Sequence, residues 1–166
     1  GTGESLHGVW SDGTFAYSAG EDGADTIVTK YYQSNLTAVS KRRYGGSGSE
    51  HLRAIWGDNE AVYAVGGTTS EGAGGMDALL LKLAKTDLAV TAGKVYCGAC
   101  LDSFTSVDGD GEFIYVAGYT VEGGTTVDAM IMKFYKSNLT MVERKIYGGA
   151  EWDHFMDVYA DANALY

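Results

Sequence analysis

Residues 103–147 read SFTSVDGDGEFIYVAGYTVEGGTTVDAMIMKFYKSNLTMVERKIY. Four runs rich in β-branched and aromatic residues stand out, at about Ser103 to Val107, Phe113 to Tyr119, Ala129 to Tyr135 and Met141 to Tyr147. Between them lie Asp108-Gly109-Asp110-Gly111, a glycine-rich stretch at Gly123-Gly124, and Ser137-Asn138-Leu139. Glycine, asparagine and aspartate accept or cap the backbone reversals of tight turns, so this spacing predicts four antiparallel strands on short connections. The run after Asp128 is apolar without alternation, as in a strand covered on both faces, whereas Val142-Glu143-Arg144-Lys145 predicts an outer, wetted strand.

The same unit recurs along the chain. Tyr44-Gly45-Gly46, Tyr96-Cys97-Gly98 and Tyr147-Gly148-Gly149 mark a corner at intervals of 52 and 51 residues. A second marker is Tyr17-Ser18-Ala19-Gly20, Tyr63-Ala64-Val65-Gly66 and Tyr115-Val116-Ala117-Gly118, and Tyr166 falls where a fourth copy of it begins. The third is an Asp, an apolar run and a Lys: Asp25 to Lys30, Asp77 to Lys82 and Asp128 to Lys133. Three markers in one phase divide the chain at approximately 1–45, 46–97 and 98–148, with a partial copy at 149–166. Helical repeats lack support because no 3.6-residue period is present, and a β-sandwich has no reason to repeat the markers. The expected architecture is all-β: one β-propeller-like domain of tandem repeats over 1–166, with three full four-stranded blades and part of a fourth.

The succession Tyr44-Gly45-Gly46-Ser47-Gly48, then the acidic Glu50, then Tyr-(Val/Ala)-x-Gly-x-Thr, then Asp-Ala-x-x-x-Lys resembles the bacterial β-propeller repeat family of large secreted and surface proteins. The resemblance spans nearly the whole chain, as Tyr44 to Lys82 and Tyr96 to Lys133 show. It implies an architecture more than an activity. Cys97 in place of glycine and the short loop between Gly20 and Asp25 depart from the pattern.

Composition narrows the partners. Of the 166 residues, 22 are acidic and 12 are Lys or Arg, giving a net charge of −10 that repels phosphate backbones and anionic lipid. Nucleic acid is therefore not an expected partner, and no apolar stretch reaches the roughly 20 residues of a membrane span. The chain starts at Gly1, which fits a processed product or a piece of a longer protein. Three copies and part of a fourth make an open arc, with sheet faces and strand edges left to water. The expected partners are thus either further copies, in a ring or fibre, or the remaining blades of a longer chain.

No nucleophile elbow, phosphate loop or zinc-protease helix is present, and no catalytic residue or cofactor is assigned. Cys97 and Cys100 form a lone C-x-x-C, half of a zinc site, and read better as a local disulfide or free thiols. Asp108-Gly109-Asp110-Gly111-Glu112 has the spaced carboxylates of a calcium loop, but the equivalent turns at Asp12, Asp58 and Asp161 hold too few, so a hairpin turn explains all four. Glu4, Glu50, Asp102 and Asp153 form a column before the first strand of each copy and are weak metal candidates; the plainer reading is that each caps its own corner. Asn35 and Asn138 begin sequons on equivalent turns and are candidate glycosylation sites, though asparagine also forms such turns by itself. Trp10 and Trp56 are equivalent, which predicts inter-blade packing before sugar stacking.

The function expected from these readings is a non-catalytic structural or assembly module, extracellular or at the cell surface. The alternatives are a ligand-binding propeller of lectin type, using the loops Glu21 to Ala24, Gly67 to Met76 and Tyr119 to Val127, and a fragment of a larger propeller protein or enzyme.

Overall fold

The computed structural model describes residues 3–73, 75–96, 101–122 and 126–166. Among the described residues, twelve strands form three four-stranded antiparallel sheets, each built from four consecutive strands in simple meander order. The first sheet holds β1 (Glu4–Ser11), β2 (Phe15–Asp22), β3 (Asp25–Tyr32) and β4 (Ala38–Tyr44). The second holds β5 (Glu50–Gly57), β6 (Ala61–Thr68), β7 (Asp77–Ala84) and β8 (Val90–Tyr96). The third holds β9 (Ser103–Gly109), β10 (Phe113–Thr120), β11 (Asp128–Tyr135) and β12 (Met141–Tyr147), each end within two residues of its expected place.

Equivalent residues take equivalent places. Trp10 faces Tyr17 across the first strand pair, Trp56 faces Tyr63, and Asp108 faces Tyr115. The first strand of each sheet carries a bulge at the same point, at His7, Arg53 and Thr105, opposite the glycine of the Tyr-x-x-Gly marker. That glycine is required by close approach: a Cβ on Gly66 would collide with the His51 carbonyl, as one on Gly20 would with Ser5 and one on Gly118 with Ser103.

The sheets pack face to face in chain order. β5 lies against β1, β2 and β3, and β9 lies against β5, β6 and β7. The second sheet is therefore covered on both sides, and its strands divide their side chains between two cores. Val62, Ala64, Leu79, Leu81 and Leu83 join Tyr17, Ala19 and Val28 of the first sheet. Tyr63, Val65, Ala78 and Leu80 join Phe104, Ile114, Val116, Met130, Met132 and Phe134 of the third. Each fully buried Leu, Met or Phe contributes roughly 1.5–3 kcal/mol, which makes these two interfaces the main source of stability.

β7 is thus the apolar strand covered on both faces. β11 is not covered as fully: Met130 and Met132 are buried against the second sheet, but Ile131 is half-buried, because among the described residues no sheet lies beyond it. The last strands β4, β8 and β12 are largely exposed, as the Val142-Glu143-Arg144-Lys145 run predicts for β12.

Residues 150–166 supply a strand-like segment and one turn. Phe155 donates its N–H to the Gly118 carbonyl at 3.3 Å, the Thr105 hydroxyl donates to the Phe155 carbonyl at 2.6 Å, and Ala160 N–H donates to the Asp108 carboxylate at 2.7 Å. Tyr159 and Tyr166 then exchange backbone hydrogen bonds of 3.0 and 2.9 Å, in the way that Trp10 pairs with Tyr17. The segment lies in the place of a first strand, and the turn of a second follows it. No helix among the described residues is long and apolar enough to cross a membrane.

Candidate functional site

Two features of the repeat bear on function: the polar corners where sheets meet, and the two faces that have no complete neighbour.

The acidic column does not converge on one point. Glu4 is exposed and pairs with Lys41 at 2.6 Å. Glu50 is buried, where it accepts the Gly46 N–H at 3.0 Å, the Thr68 hydroxyl at 3.0 Å and the Ser70 hydroxyl. Asp102 is buried beside Asp77, and Asp153 is exposed at the edge of a shallow cleft with His154 and Phe155. The backbone explains the regular spacing: the N–H groups of Glu50, Asp102 and Asp153 donate to the carbonyls of Ala24, Met76 and Val127 in the preceding repeat, at 2.7, 2.7 and 2.8 Å. No group of three or more metal-ligating side chains occurs among the described residues.

Two of the corners also set a second carboxylate near the first, Asp25 near Glu50 and Asp77 near Asp102. A Cβ on Gly45 would meet both the Asp25 and Glu50 carboxylates, and one on Gly148 would meet Asp128, which accounts for the glycines of the corner. Burial, with the Asp102 charge added, pushes the Asp77 carboxyl above the ordinary aspartate value. Burial and the Arg53 cation push the His51 imidazole below its ordinary value, and it lies 3.4 Å from the Ser103 hydroxyl of the next repeat.

The remaining sequence candidates sit in turns. Asn35 and Asn138 are exposed, and each accepts the N–H two residues on, at 3.0 and 2.9 Å; Asp87 does the same at the equivalent turn. Asp110 accepts the N–H groups of Glu112 and Phe113 at 2.8 and 2.7 Å, and Asp12, Asp58 and Asp161 make the same turn. Cys97 and Cys100 lie outside the described residues. Trp10 and Trp56 pack between sheets, their rings against Gly57 and Gly109 of the next sheet.

Sequence reasoning did not find the ionic contacts that join the sheets. Lys85, in the turn after β7, reaches the Asp12 carboxylate of the first sheet at 2.7 Å and donates to the Asp58 carbonyl of its own sheet at 2.8 Å. Lys136, in the turn after β11, pairs with the Asp58 carboxylate and donates to the Asp110 carbonyl at 3.0 Å. A second ammonium crosses the other way: Lys30 donates to the Lys85 carbonyl and Lys82 to the Lys136 carbonyl, both at 2.8 Å. Although burial works to raise it, the Lys85 ammonium and the N–H groups of Phe15 and Thr14 hold the Asp12 carboxyl at about 2. Burial and the neighbouring Asp12 carboxylate push the Tyr17 hydroxyl up to about 12. The readable signal was a second lysine three residues after the marker lysine, present in copies two and three and replaced by Gln33 in copy one.

The two end faces follow from the same register. Val9, Ile55, Val107 and Val158 are equivalent; Ile55, Val107 and Val158 are 6%, 6% and 5% exposed, whereas Val9 is 75% exposed. Leu36, Leu88 and Leu139 all adopt positive φ, at 55°, 64° and 56°, and Leu88 and Leu139 are fully buried against the preceding sheet while Leu36 is 68% exposed. On the far side of the third sheet, residues 150–166 cover part of the face and leave a cleft of about 360 Å³ beside Tyr115, Ile131, Lys133, Lys145 and Tyr147. No protein-family model matches the chain, and no curated protein matches its sequence.

Proposed function

We propose that the chain is a non-catalytic assembly module of β-propeller type, outside the cell or at its surface. In this reading its sheets are blades of an open arc that is completed by other sheets, through self-association or through further repeats of a longer chain. The observation that carries it is the exposure of Leu6, Val9 and Leu36 at positions whose equivalents Leu52 and Phe104, Ile55 and Val107, and Leu88 and Leu139 are buried by a preceding sheet. Such a face is costly to leave in water and fits a neighbour of the same kind. Light scattering across a range of concentrations, with negative-stain microscopy, tests this reading: it expects rings or filaments, and a well-folded monomer at every concentration contradicts self-association.

A second reading, carbohydrate or ligand binding, is favoured by one cleft of about 440 Å³, where exposed Trp152 stands near Arg53, Ser103, Tyr119, Val127 and His154. An aromatic plate beside hydroxyl and cationic groups suits a sugar ring. A glycan array read with the wild type and Trp152→Ala tests it, and no bound glycan removes it.

A further inference from the structure

We infer that the open face of the β9–β12 sheet is a docking surface for a further sheet of this repeat, one with a lysine in the turn between its third and fourth strands. This rests on the reading of the sheets as stacking repeat units, and adds what the face selects.

Both closed interfaces are joined by the same pair of crossing ammonium groups. The preceding sheet sends a third-strand lysine to a carbonyl in the following sheet's turn, Lys30 to Lys85 and Lys82 to Lys136. The same turn returns its own lysine to a carboxylate of the preceding sheet, Lys85 to Asp12 and Lys136 to Asp58. Asp110 and Lys133 repeat the preceding-sheet half of this latch on the open face. The Asp110 carboxylate is preorganised by the N–H groups of Glu112 and Phe113 and by the Tyr115 hydroxyl at 2.8 Å. The Lys133 ammonium stands over the Phe113 ring at 3.6 Å, as Lys30 stands over Phe15 at 3.8 Å, yet among the described residues it reaches no carbonyl of a following turn.

Residues 150–166 fill only the place of the first strand, through buried Val158 and the turn at Asp161. The adjoining cleft is mainly apolar, along Tyr115, Ile131 and Tyr147, and its lining also carries the charged Lys133, Glu143, Lys145 and Asp157. Its complement is a sheet that presents apolar third-strand residues, a free turn carbonyl and a turn lysine. The second and third sheets have that lysine, at Lys85 and Lys136; the first has Gln33, and would bring a neutral amide to Asp110. The face therefore holds a lysine-bearing repeat more tightly than the β1–β4 sheet of another copy, which offers exposed Leu6, Val9 and Leu36 for apolar docking but lacks the ammonium for Asp110.

The test extends the full chain after Tyr166 with a second copy of residues 116–148, so that the added strands bring a duplicate of Lys136 to the open face. Urea unfolding is then measured with Asp110→Asn, with the duplicate lysine changed to Met, and with both. The expected result is a higher unfolding midpoint for the extended chain and a coupling of about threefold or more in the equilibrium constant between the two sites. An added segment that stays unprotected in hydrogen exchange, or an ordered one without that coupling, overturns the inference. In the unextended chain, the cycles Asp12→Asn with Lys85→Met and Asp58→Asn with Lys136→Met must also show coupling; its absence overturns the inference whatever the added segment does. These cycles do not depend on particle mass, so a monomeric wild type with intact couplings rejects self-association while supporting the selectivity of the face.

Discussion

The Lys85 ammonium lies 2.7 Å from the Asp12 carboxylate of the neighbouring sheet, and both side chains are less than one-fifth exposed. The contact ties a turn of one repeat to a turn of the next, at the edge of the apolar core that holds the two sheets together. Removing one partner leaves the other charge poorly solvated. Lys85→Met or Asp12→Asn alone is expected to cost about 2 kcal/mol in urea unfolding, and the double variant less than the sum of the two.

The acid limb of stability follows from the same carboxylate. With its folded value near 2 and an unfolded value of about 3.9, Asp12 gives a contribution that is complete above about pH 4 and is lost as pH falls toward 2. Asp77 acts in the opposite sense, because a raised carboxyl makes the folded state hold its proton longer and lowers stability as pH rises through the carboxylate range. Thermal unfolding followed from pH 2 to 7 is expected to show a shallower acid decline for Asp12→Asn. Asp77→Asn is expected to melt above the wild type at pH 7, with the gap closing in acid.

Leu88 and Leu36 have the same left-handed backbone and opposite surroundings. The backbone cost is common to both, so truncation isolates the packing of a turn leucine into the preceding sheet. Leu88→Ala is expected to lose roughly 3 kcal/mol, and Leu36→Ala about 0.5 kcal/mol or less in a dilute sample, as read by denaturant midpoints.

Gly66 and Gly111 make a second matched pair. A Cβ at Gly66 runs into the His51 backbone, whereas one at Gly111 meets nothing within 4 Å. Gly66→Ala is expected to cost about 3 kcal/mol or more, and Gly111→Ala about 0.5 kcal/mol or less.

The strands were legible because each element carries its own local signal. Turn residues bracket β9 to β12 within two residues, and the unbroken apolar run of β7 reflects a strand buried on both faces. The half-exposure of Ile131 was not legible, because the run after Asp128 looks the same whether or not a sheet lies beyond it. The contact between Lys85 and Asp12 was hidden for a related reason: the partners lie 73 positions apart and meet only once two sheets have stacked. The column of Glu4, Glu50, Asp102 and Asp153 was plain as a pattern, yet the regularity of Glu50, Asp102 and Asp153 belongs to backbone hydrogen bonds, and the Glu4 and Glu50 side chains go to separate partners, Lys41 and Thr68.

Sedimentation velocity of the wild type beside the double variant Val9→Asp, Leu36→Asp tests most directly whether the exposed face of the first sheet seeks a neighbour. Both substitutions lie on solvent-exposed side chains, so the sheets themselves should remain folded. The account predicts that the wild type sediments as multiples of one chain with rising concentration and that the variant stays a single chain. Identical monomeric profiles for the two proteins, at every concentration, would contradict it.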